Sequence, residues 1–358
     1  MNVLIIDDQP ISVKGIEDFC AEKNWEVTTI DFDNVYQQII EKEPDIIILD
    51  WRQDADHIDV GDEILTKIWT NCFRPIIIFS ANAAVISIAE KLQKSTLLRV
   101  FSKGDETPVT DYLCKTESFV VALSDYRKEM SNAMIEALNA VQILRSEGYP
   151  GNSVFKYILS KRTATFFDIQ YSGELPPAWV QYVYPPVVTS LCACDIIRVI
   201  APETDYNSEG NPEEYRIILT PSCDMVPARP KVTHALCASC YPKEKFHNCV
   251  LSDNPKSKNI SSVQSDLNRG YNECWVALPG IKSILPYMTV DLKKIELVDL
   301  SKIALSMSEK NEDTEFVRIA SVDSPFREQI IWAHMQNACR PGVPDRNTEP
   351  WAKELLTG

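Results

Sequence analysis

The sequence is short of positive charge and of long apolar runs. It has 36 Lys and Arg residues against 51 Asp and Glu residues, which gives a formal net charge of −15. This balance argues against nucleic acid as the partner, although it leaves a local basic patch open. No apolar run reaches the ~20 residues that a membrane-spanning helix needs, and Met1 is not followed by a signal-peptide pattern. We expect a cytoplasmic protein with no membrane segment.

The first third of the chain alternates apolar runs with amphipathic stretches. The runs predict strands at 3–6, 27–30, 46–49, 76–79 and 97–101, and the stretches between them predict helices at 11–20, 35–41, 61–69 and 83–93. Because the predicted strands are continuously apolar, we expect a parallel sheet that helices cover on both faces. The sequence therefore predicts an α/β fold with a doubly wound five-stranded sheet, which binds its ligand at the carboxyl ends of the strands.

Polar side chains follow four of the five predicted strands. Asp7 and Asp8 come after the first strand, Asp50 after the third, Ser80 after the fourth and Lys103 after the fifth. Clustered carboxylates favour Mg²⁺, and such an ion offsets the charge of an incoming phosphoryl group. One carboxylate then serves as the nucleophile, while the ammonium and the hydroxyl bind phosphoryl oxygens. The pattern predicts a phosphoryl-transfer site.

These motifs resemble the receiver domains of bacterial response regulators over about residues 1–115. The residues that carry the resemblance are Leu4–Asp8, Ile47–Asp50, Phe79–Ala81 and Phe101–Lys103. The resemblance implies a flavodoxin-like fold, a histidine kinase as phosphodonor and Asp50 as the phosphoacceptor. It also implies that Mg²⁺ is held by Asp7, Asp8, Asp50 and the backbone carbonyl of Arg52, and that Ser80 and Phe101 form the conformational switch pair.

Two features depart from the receiver pattern. Gly104 follows Lys103 where the family usually has a cis-proline, so we expect a differently shaped or looser loop. The loop Gln53–Val60 is longer than usual and acidic, which would alter access of the metal ion. Phosphorylation of Asp50 stays the expectation, and the lifetime of the phosphorylated state is not predicted.

A long stretch without Gly or Pro follows the predicted receiver. Residues 118–147 have apolar positions at helical spacing, and Gly148, Pro150 and Gly151 end the pattern. We interpret its first part as the last receiver helix and the rest as a connector. The helix either packs on its own domain or forms a homodimer. The predicted division is a receiver at 1–117, a connector at 118–150 and an output domain at 151–358.

The second half of the chain differs from the first in composition and in pattern. Prolines cluster, and turn signals separate β-prone runs at 165–169, 180–184, 196–200, 215–219 and 274–278. The segments 203–214 and 254–266 are polar and predict loops, residues 326–339 predict a closing helix, and the tail after Pro341 predicts irregular structure. We expect a mainly β output domain, either a barrel or a sandwich.

The eleven cysteines are irregularly spaced, which favours reduced thiols or a metal site over disulfides. Cys237 and Cys240 have the spacing of one zinc knuckle, but the sequence has no second such pair. The remaining candidate zinc ligands are Cys223, His234, His247 and Cys249. Alternatively Cys223 is a nucleophile beside Asp224 and a nearby histidine, or the cysteines are ordinary core residues.

Two functional hypotheses follow from the sequence. Residues 190–346 resemble a group of uncharacterised bacterial proteins through Thr220–Asp224, a cysteine near Cys240 and the stretch 324–344, a resemblance that implies no activity. The first hypothesis is a two-component response regulator whose atypical output domain binds a protein or, as the less favoured partner, nucleic acid; the sequence shows no pattern of a separate enzyme activity. The alternative is a receiver-gated effector enzyme that uses the Cys223–Cys249 region, for example in bacterial defence.

Overall fold

We describe the chain from a computed structural model. The structure describes residues 1–51, 61–71, 74–81, 83–86, 88, 95, 97–145, 152–168, 175–200, 208–247, 257–339 and 346–356. The chain divides into two compact units, Met1–Gly173 and Glu174–Gly358. Within the described ranges, no helix combines the length and the apolar character that crossing a bilayer requires.

The first unit contains the predicted parallel sheet. Its strands are β1 (Asn2–Ile6), β2 (Glu26–Ile30), β3 (Ile46–Leu49), β4 (Ile76–Ser80) and β5 (Leu98–Ser102). They are joined in the order β2-β1-β3-β4-β5, and every neighbouring pair is parallel. This order is the flavodoxin-like one, which CheY shares. The predicted α/β class and the five strands are confirmed.

Helices cover both faces of this sheet. They include α1 (Lys14–Glu22), α2 (Val35–Lys42) and α3 (Gly61–Asn71). Alternate strand residues belong to two separate cores: Leu4 and Ile47 pack on one face with α2 and α3, and Val3 and Ile48 pack on the other with α1. Most of the predicted helix at 83–93 lies outside the described residues, apart from a short turn at Ala83–Val85.

The long helix predicted after the sheet is confirmed as α4 (Thr107–Arg145), a single helix of 39 residues. At 1.5 Å per residue it is about 58 Å long. It begins eleven residues before the predicted stretch, because the side chain of Asp105 accepts a hydrogen bond from the Thr107 amide and caps the first turn. Its buried positions near the sheet are Val109, Leu113 and Val120. The first compact unit therefore extends past the predicted receiver boundary at residue 117.

A further helix, α5 (Asn152–Asp168), packs against α4 in the first unit. The strand predicted at 165–169 is wrong, because residues 165–168 belong to α5. The β-branched threonines fit the helix since Thr163 and Thr165 donate their hydroxyls to carbonyls four residues earlier. Across the two helices the rings of Tyr126 and Phe167 lie 5.6 Å apart.

The second unit is built on one eight-stranded sheet. Its strands are β6 (Tyr182–Val183), β7 (Asp195–Val199), β8 (Tyr215–Ile218), β9 (His234–Pro242), β10 (Trp275–Leu278), β11 (Met288–Asp299), β12 (Ile303–Ala304) and β13 (Phe316–Val322). The order is β10-β11-β9-β8-β7-β13-β12, with β6 also beside β13. All neighbouring pairs are antiparallel except β12 with β13. The mainly β prediction is confirmed, and β9, β11 and β13 are strands that the sequence patterns did not reveal.

The helices of the second unit are α6 (Ser257–Arg269), α7 (Phe326–Ala338) and α8 (Glu349–Leu356). The closing helix is confirmed as α7, which packs Ile330 and Ala333 onto the sheet. The loop predicted at 254–266 is wrong from residue 257 onward, where α6 lies. The irregular tail predicted after Pro341 is wrong at 349–356, where α8 lies. Polar residues dominate α6, yet its few apolar ones, Ile260, Val263 and Leu267, have the spacing of one helix face.

Candidate functional site

Four strands of the first sheet end at one edge and bring the predicted polar residues together. The amide of Asp50 donates to the Ile6 carbonyl at 2.9 Å, so β3 holds this residue against β1. The amide of Lys103 donates to the Ser80 carbonyl at 3.1 Å, which extends the pairing of β5 with β4. Parallel strands present their carboxyl ends at the same edge. The sheet itself therefore positions the site residues, as the sequence predicts.

Three carboxylates meet at this edge. Asp7, Asp8 and Asp50 offer oxygen atoms that lie within 4.8 Å of one another. Among the residues that the structure describes, this is the one group of His, Cys, Asp or Glu side chains able to share a metal ion. Hard oxygen donors of this kind suit Mg²⁺. Arg52, whose carbonyl is the expected fourth protein ligand, lies outside the described residues.

Lys103 connects two of these carboxylates. Its Nζ lies 2.6 Å from Asp50 Oδ2 and 2.7 Å from Asp7 Oδ2. Burial alone would lower the pKa of Lys103, but its hydrogen bonds to Asp50 and Asp7 outweigh that effect, and the pKa is raised above its usual value. The ammonium therefore stays protonated at neutral pH and offsets part of the negative charge of the site.

Further hydrogen bonds fix the two buried carboxylates. The amide of Trp51 donates to Asp50 Oδ1 at 2.6 Å. Asp7 Oδ1 accepts from the amide of Gln9 at 2.8 Å, and Asp7 Oδ2 accepts from the hydroxyl of Ser12 at 2.9 Å. Sequence reasoning missed Ser12, because a serine five residues after an aspartate has no distinctive pattern. The donors preorganise both carboxylates for binding a cation or a phosphoryl group.

The comparisons with known proteins bear on the first unit alone. No protein-family model matches the sequence, and no curated protein matches it with significance. The N-terminal domain of the nisin resistance regulator NsrR, a lantibiotic response regulator, is 20% identical, with 33% of this chain and 97% of that one covered and a TM-score of 0.27. The signal receiver domain of a modulated diguanylate cyclase from Desulfovibrio desulfuricans G20 is 19% identical, covers 35% and 97%, and has a TM-score of 0.27.

A third similar structure is a complex of the histidine kinase ThkA with the response regulator protein TrrA. The matched chain is 18% identical, with 32% of this chain and 96% of that one covered and a TM-score of 0.27. At such identities and scores the similarity says nothing about activity, and the fold rests on the strand order. The first unit resembles a receiver domain. We call Met1–Gly173 the receiver unit below.

The expected switch residues lie on neighbouring strands of the receiver unit. Ser80 is buried at the end of β4. Phe101, on β5, is half-buried, and its ring centre lies 5.9 Å from that of Tyr112 on α4. The structure therefore places both residues beside the site, and it places the Phe101 ring against the long helix. Their movement on phosphorylation stays a prediction.

The zinc knuckle predicted at Cys237 and Cys240 is wrong. Both residues lie on β9, where side chains three positions apart point to opposite faces of the sheet. Cys240 belongs to the core that contains Ile217, and Cys237 to the core that contains Ile218. Burial raises the pKa of both thiols to about 12, so they remain protonated core residues.

The other candidate zinc ligands are not brought together either. Cys223 is exposed, with its Sγ 3.5 Å from Asp224 Oδ1, and Asp224 pairs with Lys231 at 2.9 Å. His234 is exposed at the start of β9, while His247 Nε2 lies 2.7 Å from Asp266 Oδ2 on α6. Cys249 lies outside the described residues. Among the described side chains of this region, no three of these residues come close enough together to hold a metal ion.

Proposed function

We propose that the protein is a two-component response regulator, and that its receiver unit accepts a phosphoryl group on Asp50. The observation that carries this proposal is the position of Lys103, which contacts both Asp50 and Asp7 beside a cluster of three carboxylates. A buried acceptor next to a fixed cation is the arrangement that phosphoryl transfer requires. A histidine kinase is the proposed donor, in keeping with the ThkA–TrrA complex among the similar structures.

In this mechanism a carboxylate oxygen of Asp50 attacks phosphorus, the new O–P bond forms, and the bond to the donor breaks with its electron pair on the leaving group. Asp7, Asp8 and Asp50 would hold Mg²⁺, and a bound ion would supply positive charge to offset that of the phosphoryl oxygens. Lys103 Nζ leaves its carboxylate partners and donates to one phosphoryl oxygen. The hydroxyl of Ser80 donates to another.

We further propose that the second unit binds a protein and that phosphorylation controls this binding. Large apolar side chains lie exposed on the second unit, among them Leu175 at 92% and Val187 at 78% exposure. Exposed apolar patches mark sites of interaction with proteins, membranes or ligands, and a protein is the partner that we propose. The enzyme alternative in the Cys223–Cys249 region gains no support, since Cys237 and Cys240 belong to different cores and no three described ligand side chains of that region come together.

The test is phosphorylation of the full chain by acetyl phosphate with Mg²⁺, followed by intact mass. We expect one phosphoryl group on the wild type, none on the Asp50→Asn variant, and none after chelation of the metal. Asp62→Asn removes an exposed carboxylate on α3 and serves as the matched control, which should react like the wild type. Uptake by Asp50→Asn would show that another residue is the acceptor.

A further inference from the structure

The loop after Lys103 lacks the residue that stiffens it in receiver domains. Gly104 stands where a cis-proline is usual, and its φ of 110° lies in a region that L residues rarely adopt. Glycine leaves the backbone free to move, so the residue itself does not hold the loop. Lys103 Nζ nevertheless contacts two carboxylates at once. Another contact near the loop is therefore needed to hold the lysine in position.

Glu106 supplies a contact of the required kind. Its carboxylate lies against Gly15 in the first turn of α1, so closely that a Cβ at Gly15 would overlap it. A 3₁₀ turn, Pro10–Val13, runs directly into α1, so the Glu106 carboxylate lies near the positive end of this helical segment, where an acidic side chain is favourable. Glu106 thereby brings a side chain from a distant part of the chain against the start of α1.

The same residue also begins the long helix. The Glu106 carbonyl accepts the amides of Val109 and Thr110, both at 3.1 Å, in the first turn of α4. Ser12, three residues before Gly15, donates to Asp7 Oδ2. Glu106 thus connects the start of α4 with the segment at the start of α1 that also bonds to Asp7, the carboxylate that Lys103 contacts.

We propose that Glu106 is a positioning residue for Lys103: its carboxylate, in the space that Gly15 leaves open, fixes the Gly104 loop and holds Lys103 Nζ on Asp7 and Asp50. This inference deepens the proposed phosphorylation of Asp50 and rests on it for its functional meaning. The glycine at position 15 and the acid at position 106 act as a pair, and together they replace the constraint of the missing proline.

The first experiment measures phosphorylation of the full chain by acetyl phosphate at saturating Mg²⁺. Glu106→Ala and Gly15→Ala should each slow the reaction roughly tenfold, because small misplacements of a catalytic group are costly. The double variant should be no slower than either single one, since both changes remove the same contact. Glu106→Gln keeps an oxygen acceptor and should retain most of the rate, and Glu129→Ala, an exposed acid on the same helix, is the control.

The second experiment reports on Lys103 without any phosphorylation. Acetylation of lysines by an activated ester is followed by peptide mass spectrometry, with the exposed Lys128 as internal reference. Lys103 is 14% exposed and bonded to two carboxylates, so it should react slowly in the wild type and several-fold faster in Glu106→Ala and Gly15→Ala. Circular dichroism establishes that each variant is folded, and the comparison of Glu106→Ala with Glu106→Gln carries the test if Gly15→Ala does not fold.

The outcomes separate the two proposals. Unchanged acetylation of Lys103 in folded Glu106→Ala, or rate losses that add in the double variant, would overturn the role of Glu106. Another outcome is that Lys103 is acetylated faster in the variants, as expected, while the wild type takes up no phosphoryl group. In that case the proposed function fails, and the role of Glu106 in holding Lys103 stands.

Discussion

At the scale of single residues, the site is an arrangement of charges that offset one another. Lys103 lies between Asp50 and Asp7, and both carboxylates are nearly fully buried. A buried ion pair is worth little by itself, but removing one partner leaves an uncompensated charge and is strongly destabilising. The lysine therefore has a structural role before any phosphoryl group arrives, and a bound cation would take over that role.

Replacing Lys103 with Met should destabilise the metal-free protein by roughly 3 kcal/mol, a value at the low end for a broken buried pair. Added Mg²⁺ should restore part of the loss by supplying positive charge to the carboxylates. Urea unfolding with and without Mg²⁺ measures both effects. An equal loss in both conditions would show that charge compensation is not the cause.

The Lys103→Met variant also tests how the unfolding free energy depends on pH. The pKa of Lys103 is higher in the folded chain than the usual value of about 10.5, so its contribution is fully present below that value. It is lost as the pH rises through the folded pKa. The difference in unfolding free energy between wild type and Lys103→Met should stay constant from neutral pH up to the usual lysine range and shrink above it. A difference that shrinks already near neutral pH would contradict the raised pKa.

At the scale of elements, each sheet is held by contacts that the strand patterns do not reveal. In the second unit Arg318 of β13 pairs with Asp195 of β7, and both side chains are buried. Arg318 also donates to the carbonyls of Val188 and Ser190, at 2.7 and 2.9 Å, while Asp195 accepts from the hydroxyl of Ser321 at 2.5 Å. The network thereby ties the segment before β7 to β13.

Arg318→Met should lower the unfolding free energy by about 3–5 kcal/mol, because it leaves Asp195 charged and buried. The double variant Arg318→Met with Asp195→Asn should lose less unfolding free energy than the two single variants together. The reason is that each single variant leaves one buried charge unpaired, whereas the double variant leaves none. Denaturant unfolding of the wild type and the three variants measures the coupling free energy between the two side chains. Additive losses would mean that the two side chains act independently.

The long helix α4 is the element through which we propose that the chain dimerises. Met134, Ile135 and Leu138 are exposed on one side of it, within an arc of about 100°. If a second copy covers this patch, Ile135→Glu and Leu138→Glu should shift the protein from dimer to monomer. Sedimentation velocity measures the mass, and Asn132→Glu, an exposed position outside the patch, is the control. A monomeric wild type would contradict the proposal.

At the scale of the whole molecule, the chain consists of two units that each have their own cores. The sheet of the receiver unit is buried on both faces, and the sheet of Glu174–Gly358 also has a core on each face. A unit with a complete core is able to fold alone. We therefore expect the fragment Met1–Gly173 to fold and to be phosphorylated on Asp50 at the rate of the full chain. An unfolded fragment would show that the second unit supplies stability.

The sequence by itself determined the receiver unit and most of its site. Runs such as Ile46–Leu49 are apolar at every position, so only a sheet that is covered on both faces buries them. The parallel order then brings Asp7, Asp50 and Lys103 to one edge, whatever the loops do. The apolar pattern of the strands is enough to predict this meeting, because parallel strands present their carboxyl ends at the same edge in any order.

Only the tertiary structure decided the rest. Cys237 and Cys240 have the spacing of a knuckle in a turn, but in an extended strand the same spacing sends them to opposite cores. The contact of Glu106 with Gly15 joins segments about ninety residues apart in the chain, and no short-range pattern encodes it. Asp50 lies where the sequence predicts, beside Asp7 and Lys103, and the contact of Glu106 with Gly15 comes from the folding of distant segments onto one another.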